Sequence, residues 1–114
     1  MAKMKIGTVL RLALLASLVT AMVLWGTTAA AQDAAATYKA KCAACHGADA
    51  KGETSIGKKM GIKDLASPDV QKMSDAELTT VISDGKDKMP SYKKSLKPDQ
   101  IKELVTYIRS LKEK

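Results

Sequence analysis

The chain's two cysteines and its one histidine fall within five consecutive positions, Cys42-Ala43-Ala44-Cys45-His46. Four chemistries use such a cluster. A zinc site takes four ligands, and this stretch offers three soft donors with no second Cys/His pair elsewhere. A thioredoxin-type redox pair belongs at a helix start beside a βαβ pattern, and nothing in the chain predicts strands. A disulfide between residues so close in sequence closes a very small loop and adds little stability. The fourth chemistry is covalent haem attachment. The two thiols add as thioethers to the two vinyl groups on one porphyrin edge, and the histidine that follows at once donates an imidazole nitrogen to the iron. Only this chemistry needs all three groups in this order and spacing.

With His46 on one face, the other face of the iron decides what such a site does. A filled position makes an electron carrier, and an open one allows small-molecule binding or peroxidase-like chemistry. The candidates downstream are Met60, Met73 and Met89. Met73 is expected on a short helix, where a methionine packs in the core. Met60 lies among lysines and glycine in a loop, with a linker from His46 long enough to reach around. Met89 sits in an irregular stretch between two helices, and Pro90 restricts the backbone just after it. These grounds favour Met89 and leave Met60 as the competitor.

The elements that must position these groups read as helices. No alternating run long enough for a strand appears. An Ala- and Lys-rich helix is expected from about Asp33 to Ala44, running into the cysteines. Gly47, Gly52, Gly57 and Gly61 then read as a loop. Ser67-Pro68 pairs an N-cap with a first-turn proline for a short helix to about Met73. Ser74 and Glu77 form a capping box, Leu78, Val81 and Ile82 give the next helix one apolar face, and Gly85 ends it. The last helix opens at Pro98 and carries the stripe Ile101, Leu104, Val105, Ile108 and Leu111.

Ahead of these elements lies a different kind of sequence. Lys3, Lys5 and Arg11 precede the uncharged, mostly apolar Leu12–Gly26, and small residues through Ala31 follow. That layout predicts a secretory signal peptide over residues 1–31, cleaved after Ala31, and a mature domain over 32–114 in the periplasm. The alternative is an uncleaved membrane anchor. The one Trp lies in the leader and the chain has no Phe, so the domain has only Tyr38, Tyr92 and Tyr107 as aromatics. So thin a core asks for a staple, and a haem supplies one.

Together these features resemble the class I monohaem c-type cytochromes. The likeness rests on Cys42-Ala43-Ala44-Cys45-His46-Gly47 after a first helix, on Met89-Pro90 downstream, and on the last helix with Leu104-Val105-Thr106-Tyr107-Ile108-Arg109-Ser110-Leu111. It implies an all-α cytochrome c fold, three to four short helices wrapped around one covalently attached haem c, with the first and last helices crossing. It implies Ala34 and Tyr38 facing Leu104 and Tyr107, and His46 and Met89 as the iron's axial ligands. Two features depart from it. No proline follows the motif before Pro68 to offer His46 a carbonyl, so a backbone carbonyl of the Gly52–Gly61 loop is the expected acceptor. No Trp is available near a haem propionate, and Tyr92 is the nearest substitute.

The formal net charge is +7, of which Lys3, Lys5 and Arg11 lie in the leader. Lys39 and Lys41 before the motif, with Lys86, Lys88, Lys93 and Lys94 around Met89, flank what should be one haem edge. They suit acidic redox partners, such as a quinol-oxidising complex, a terminal oxidase or a dehydrogenase. Asp84 and Asp87 among them also fit an ordinary solvated surface. The modest charge and exported location argue against nucleic acid. The expectation is a soluble periplasmic one-electron carrier rather than an enzyme. The alternatives are a haem subunit of a larger oxidase or dehydrogenase complex, and a ligand-binding or peroxidase-like haem protein.

Overall fold

The computed structural model describes residues 29–113, with Gly7 the one described position ahead of them. The chain divides into two units, Met1–Ala30 and Ala31–Lys114. The leader expected over residues 1–31 falls, apart from Gly7 and residues 29–31, outside the described residues, as does its reading as an anchor. Among the described residues no helix is long and apolar enough to cross a membrane.

In the second unit, helix α1 covers 31–41 and α2 Ala43–His46. Then come α3 Ser55–Met60, α4 Pro68–Gln71, α5 Asp75–Asp84 and α6 Pro98–Ser110, and Leu111–Glu113 tighten into a 3-10 turn. The described residues contain no strand, only an isolated antiparallel bridge between Lys86 and Met89. The all-α expectation holds, with more helices than expected. The first helix is divided at Cys42, where φ is −116°. The glycine-rich stretch contains α3, whose Thr54 hydroxyl accepts from the Gly57 N–H at 2.9 Å and whose C-cap is the left-handed Gly61.

The Ser74–Glu77 capping box is fully formed. The Ser74 N–H donates to the Glu77 carboxylate at 2.7 Å, and the Glu77 N–H donates to the Ser74 hydroxyl at 3.1 Å. That fixes the start of α5, and Leu78 and Ile82 on its inner face are buried. Helix α6 begins at Pro98, with the Gln100 side chain accepting from the Lys97 N–H at 2.9 Å. Its stripe is the one predicted, with Ile101, Leu104, Val105, Ile108 and Leu111 all buried. Each such side chain contributes about 1.5–3 kcal/mol by leaving water.

Helices α1 and α6 meet through the tyrosines, as the resemblance implied. Tyr38 and Leu104 are buried, and the Tyr38 and Tyr107 rings lie 5.0 Å apart and tilted by 40°. That geometry is favourable for aromatic pairs. In the last turn of α6, Arg109 fastens the α4–α5 junction. Its guanidinium donates to the Gln71 and Met73 carbonyls and to the Asp75 carboxylate, the last at 2.9 Å. The Gln71 amide in turn donates to the Ile108 and Leu65 carbonyls, at 3.0 and 2.8 Å. Helices α4, α5 and α6 thereby form one frame around a hollow interior.

Candidate functional site

The Cys42–His46 segment is a single short turn, and its position depends on bonds from three directions. The Tyr38 hydroxyl donates to the Gly47 carbonyl at 2.8 Å in a buried contact. The Gly52 N–H donates to the His46 carbonyl at 2.8 Å. The Thr54 hydroxyl, while capping α3, donates to the Cys45 carbonyl at 2.8 Å. Helix α3 also presses directly on this segment, for a Cβ on Gly57 would lie 2.7 Å from the Cys45 carbonyl oxygen. Glycine is needed there because the backbones approach so closely, and its φ is ordinary.

The cavity beside this segment has an inner hollow of about 130 Å³ and an adjoining cleft of about 490 Å³. Cofactor clefts are typically about 300–1,000 Å³ and mostly apolar. The inner hollow is walled by Leu65, Val70, Leu78, Val81, Ile82 and Leu96. Cys42, His46, Met73, Met89 and Tyr92 line both parts, while Cys45 and Met60 line the outer cleft only. The four residues singled out in the sequence, Cys42, Cys45, His46 and Met89, thus border one cavity.

The three methionines differ in their mounting. Met60 ends α3 on the rim and is 41% exposed. Met73 lies just past α4 rather than on it, half-buried, with its carbonyl held by Arg109. Met89 is half-buried and closes a tight turn. The Met89 N–H donates to the Lys86 carbonyl at 2.9 Å, and the Lys86 N–H donates to the Met89 carbonyl at 3.2 Å.

One expectation about the surroundings is corrected. The His46 Nδ1 is buried and has no hydrogen-bond partner, so no carbonyl of the Gly52–Gly61 loop serves it. That loop approaches the segment with donors, the Gly52 N–H and the Thr54 hydroxyl. Tyr92 sends its hydroxyl to the Lys41 carbonyl, 2.9 Å away. Thr54, Gly57 and Arg109 are supporting residues that the sequence reading did not single out. A threonine cap followed by Gly61 at the far end was the available signal for α3.

The thiols are free and half-buried. Burial, reinforced by the neighbouring Cys45, pushes the Cys42 thiol up to about 11. A thioredoxin-type attacking thiol is lowered instead, so that chemistry does not suit this site. Burial lowers the His46 imidazole below its ordinary value and favours the neutral ring that a metal ligand must be. Among the described residues no group of three or more His, Cys, Asp and Glu side chains could hold a bare metal ion. The fit to a covalently held haem is good: two adjacent free thiols, a buried ring nitrogen without a partner, and an apolar cavity.

Comparison with known proteins agrees. Residues 29–108 match the family "Cytochrome C oxidase, cbb3-type, subunit III". The chain is 33% identical over 109 residues to cytochrome c6 of Gloeothece citriformis, spanning 89% of this chain and 96% of that one. It is 34% identical over 85 residues to the cbb3-type cytochrome c oxidase subunit CcoP of Azospirillum brasilense. That match takes in 73% of this chain but only 29% of CcoP. A solved structure, the KustC0563 c-type cytochrome, superposes with a TM-score of 0.63 at 30% identity, covering 68% of this chain and 94% of that one. The chain therefore belongs to the c-type cytochromes, in the family of the cbb3-type oxidase subunit III domain. Its cofactor is a covalently bound haem c, and its class of activity is electron transfer.

Proposed function

We propose that the protein is a soluble periplasmic one-electron carrier in which Cys42 and Cys45 form the thioethers and His46 and Met89 are the axial ligands. The observation that carries this reading is the shared cavity bordered by Cys42, His46 and Met89. Bound there, the haem supplies a one-electron iron couple. The chain's own residues would hold that group in place. The bonds from Tyr38, Gly52 and Thr54 pin the attachment segment, and the paired Lys86–Met89 bonds hold the thioether-bearing turn. The apolar wall of α5 and α6 keeps water from the interior. A soft thioether favours the reduced state, and fixed ligands keep rearrangement between oxidation states small.

Lys41, Lys86 and Lys88 are exposed at the mouth of the outer cleft, interrupted only by Asp87. They suit an acidic face on a redox partner and would speed encounter at low salt. The near end-to-end match to a cytochrome c6 supports a free carrier. The match to CcoP and to the oxidase subunit family supports a second reading, a haem subunit within a larger complex. Sedimentation of the protein from its native source separates the two, since a carrier runs alone and a subunit runs with its complex.

Carbon monoxide tests the closed site. The reduced holoprotein should resist it and the Met89→Ala holoprotein should bind it. Ready binding by the unaltered protein would contradict the electron-carrier reading.

A further inference from the structure

The Tyr92 hydroxyl donates to the Lys41 carbonyl across 2.9 Å and a sequence separation of 51. Among the described residues it is the one hydrogen bond that joins residues 38–47 to residues 86–92. Lys41 is the last residue of α1 and directly precedes Cys42, while Tyr92 follows Met89 by three positions. The bond therefore spans the cavity's edge between the attachment segment and the methionine turn.

Tyr92 is firmly mounted without this bond. Its N–H donates to the Ile82 carbonyl at 3.1 Å, and its own carbonyl accepts from the Ser95 and Leu96 N–H groups at 3.0 and 2.8 Å. Its half-buried ring packs against the core and forms part of the wall of both hollows. The turn at 86–89 is held more lightly. Lys86, Asp87 and Lys88 are exposed, Asp87 has a φ of 52°, and the turn's internal bonds are the two between Lys86 and Met89. A rigid tyrosine next to a lightly held turn, bonded to the opposite segment, has the form of a latch.

We propose that Tyr92 is a positioning residue whose hydrogen bond to the Lys41 carbonyl latches the Met89 turn to the haem-attachment segment and keeps Met89 engaged against competing ligands. The inference rests on Met89 being the axial ligand. A competing ligand enters only in the fraction of molecules whose turn has swung away, and its apparent affinity scales with that fraction. Losing one exposed hydrogen bond raises that fraction about two- to fivefold.

The test is imidazole titration of the oxidised holoprotein in four forms: unaltered, Tyr92→Phe, Met89→Ala and Glu77→Ala. Tyr92→Phe keeps the ring and removes only the hydroxyl, and it should bind imidazole about two- to fivefold more tightly than the unaltered protein. Met89→Ala should bind far more tightly still. Glu77→Ala weakens a remote helix cap and should leave imidazole affinity unchanged. If Met89→Ala binds tightly while Tyr92→Phe matches the unaltered protein, the latch is overturned and Met89 survives as the ligand. If Met89→Ala matches the unaltered protein, Met89 is not the ligand and the latch falls with it. A rise in Glu77→Ala equal to that in Tyr92→Phe would assign the effect to general loosening and also overturn the latch.

Discussion

Gly85 and Met89 approach so closely that a Cβ on Gly85 would lie 2.5 Å from the Met89 carbonyl oxygen. Gly85 also ends α5 with φ 79° and ψ 170°, a region open essentially only to glycine. The same residue therefore ends a helix and admits the methionine turn beside it. Gly85→Ala should cost about 1–3 kcal/mol from backbone strain alone and should displace the turn. Denaturant unfolding and carbon monoxide binding of the reduced holoprotein check both effects. Stability loss without any gain in carbon monoxide binding would separate the helix end from the turn.

Thr54 serves two elements through one hydroxyl. It accepts from the Gly57 N–H and donates to the Cys45 carbonyl. Thr54→Ala should lower stability by about 1–2 kcal/mol. Thr54→Ser should recover most of that loss, because the hydroxyl is retained. Urea unfolding of both variants decides the matter, and equal losses would show that the methyl group rather than the hydroxyl carries the effect.

What the sequence revealed of this arrangement was its short-range part. Cys42, Cys45 and His46 are legible because one cofactor demands them at fixed spacing, and Ser74 with Glu77 because a capping box closes within one helical turn. The α6 stripe is legible because burial follows helical periodicity. The missed features have different physics. Gly57 reads as loop because repeated glycines offer left-handed turns, yet it sits in α3, where the backbone of Cys45 leaves no room for a larger residue. Tyr92 bonds to Lys41, and Arg109 to the carbonyls of Gln71 and Met73, over long sequence separations. Their acceptors are backbone carbonyls, which every residue possesses, so no residue pattern announces the pairing.

Tyr38 combines a buried ring beside Tyr107 with a buried hydrogen bond to the Gly47 carbonyl. Tyr38→Phe keeps the ring pair and removes one of the two donors to that carbonyl, which still accepts from the Ala50 N–H at 3.1 Å, at a cost of about 0.5–1.5 kcal/mol. Tyr38→Ala also opens a cavity between α1 and α6 and should cost about 3–5 kcal/mol. Thermal or urea unfolding of the two holoproteins should rank them in that order. Equal losses would mean that the ring contributes nothing beyond its hydroxyl.

Acid should weaken the α5 cap. The Ser74 backbone N–H and hydroxyl hold the Glu77 carboxyl below its ordinary value of 4.5. A carboxyl depressed on folding adds stability above its unfolded value and loses that contribution as pH falls through the folded value. Asp69, lowered by Lys63 and Lys72, follows the same sign from an ordinary value of 3.8. Stability measured from pH 6 downward, in steps of about one unit, should fall less steeply in Glu77→Gln than in the unaltered protein. Identical slopes would remove Glu77 from the acid response.

The central claim is that Met89 completes the iron's coordination opposite His46. Its most direct test is the near-infrared absorption of the oxidised holoprotein, where methionine–iron ligation gives a weak band. The band should be present in the unaltered protein, persist in Met60→Ala and disappear in Met89→Ala. A band that survives Met89→Ala, or that is absent from the unaltered protein, would contradict the account.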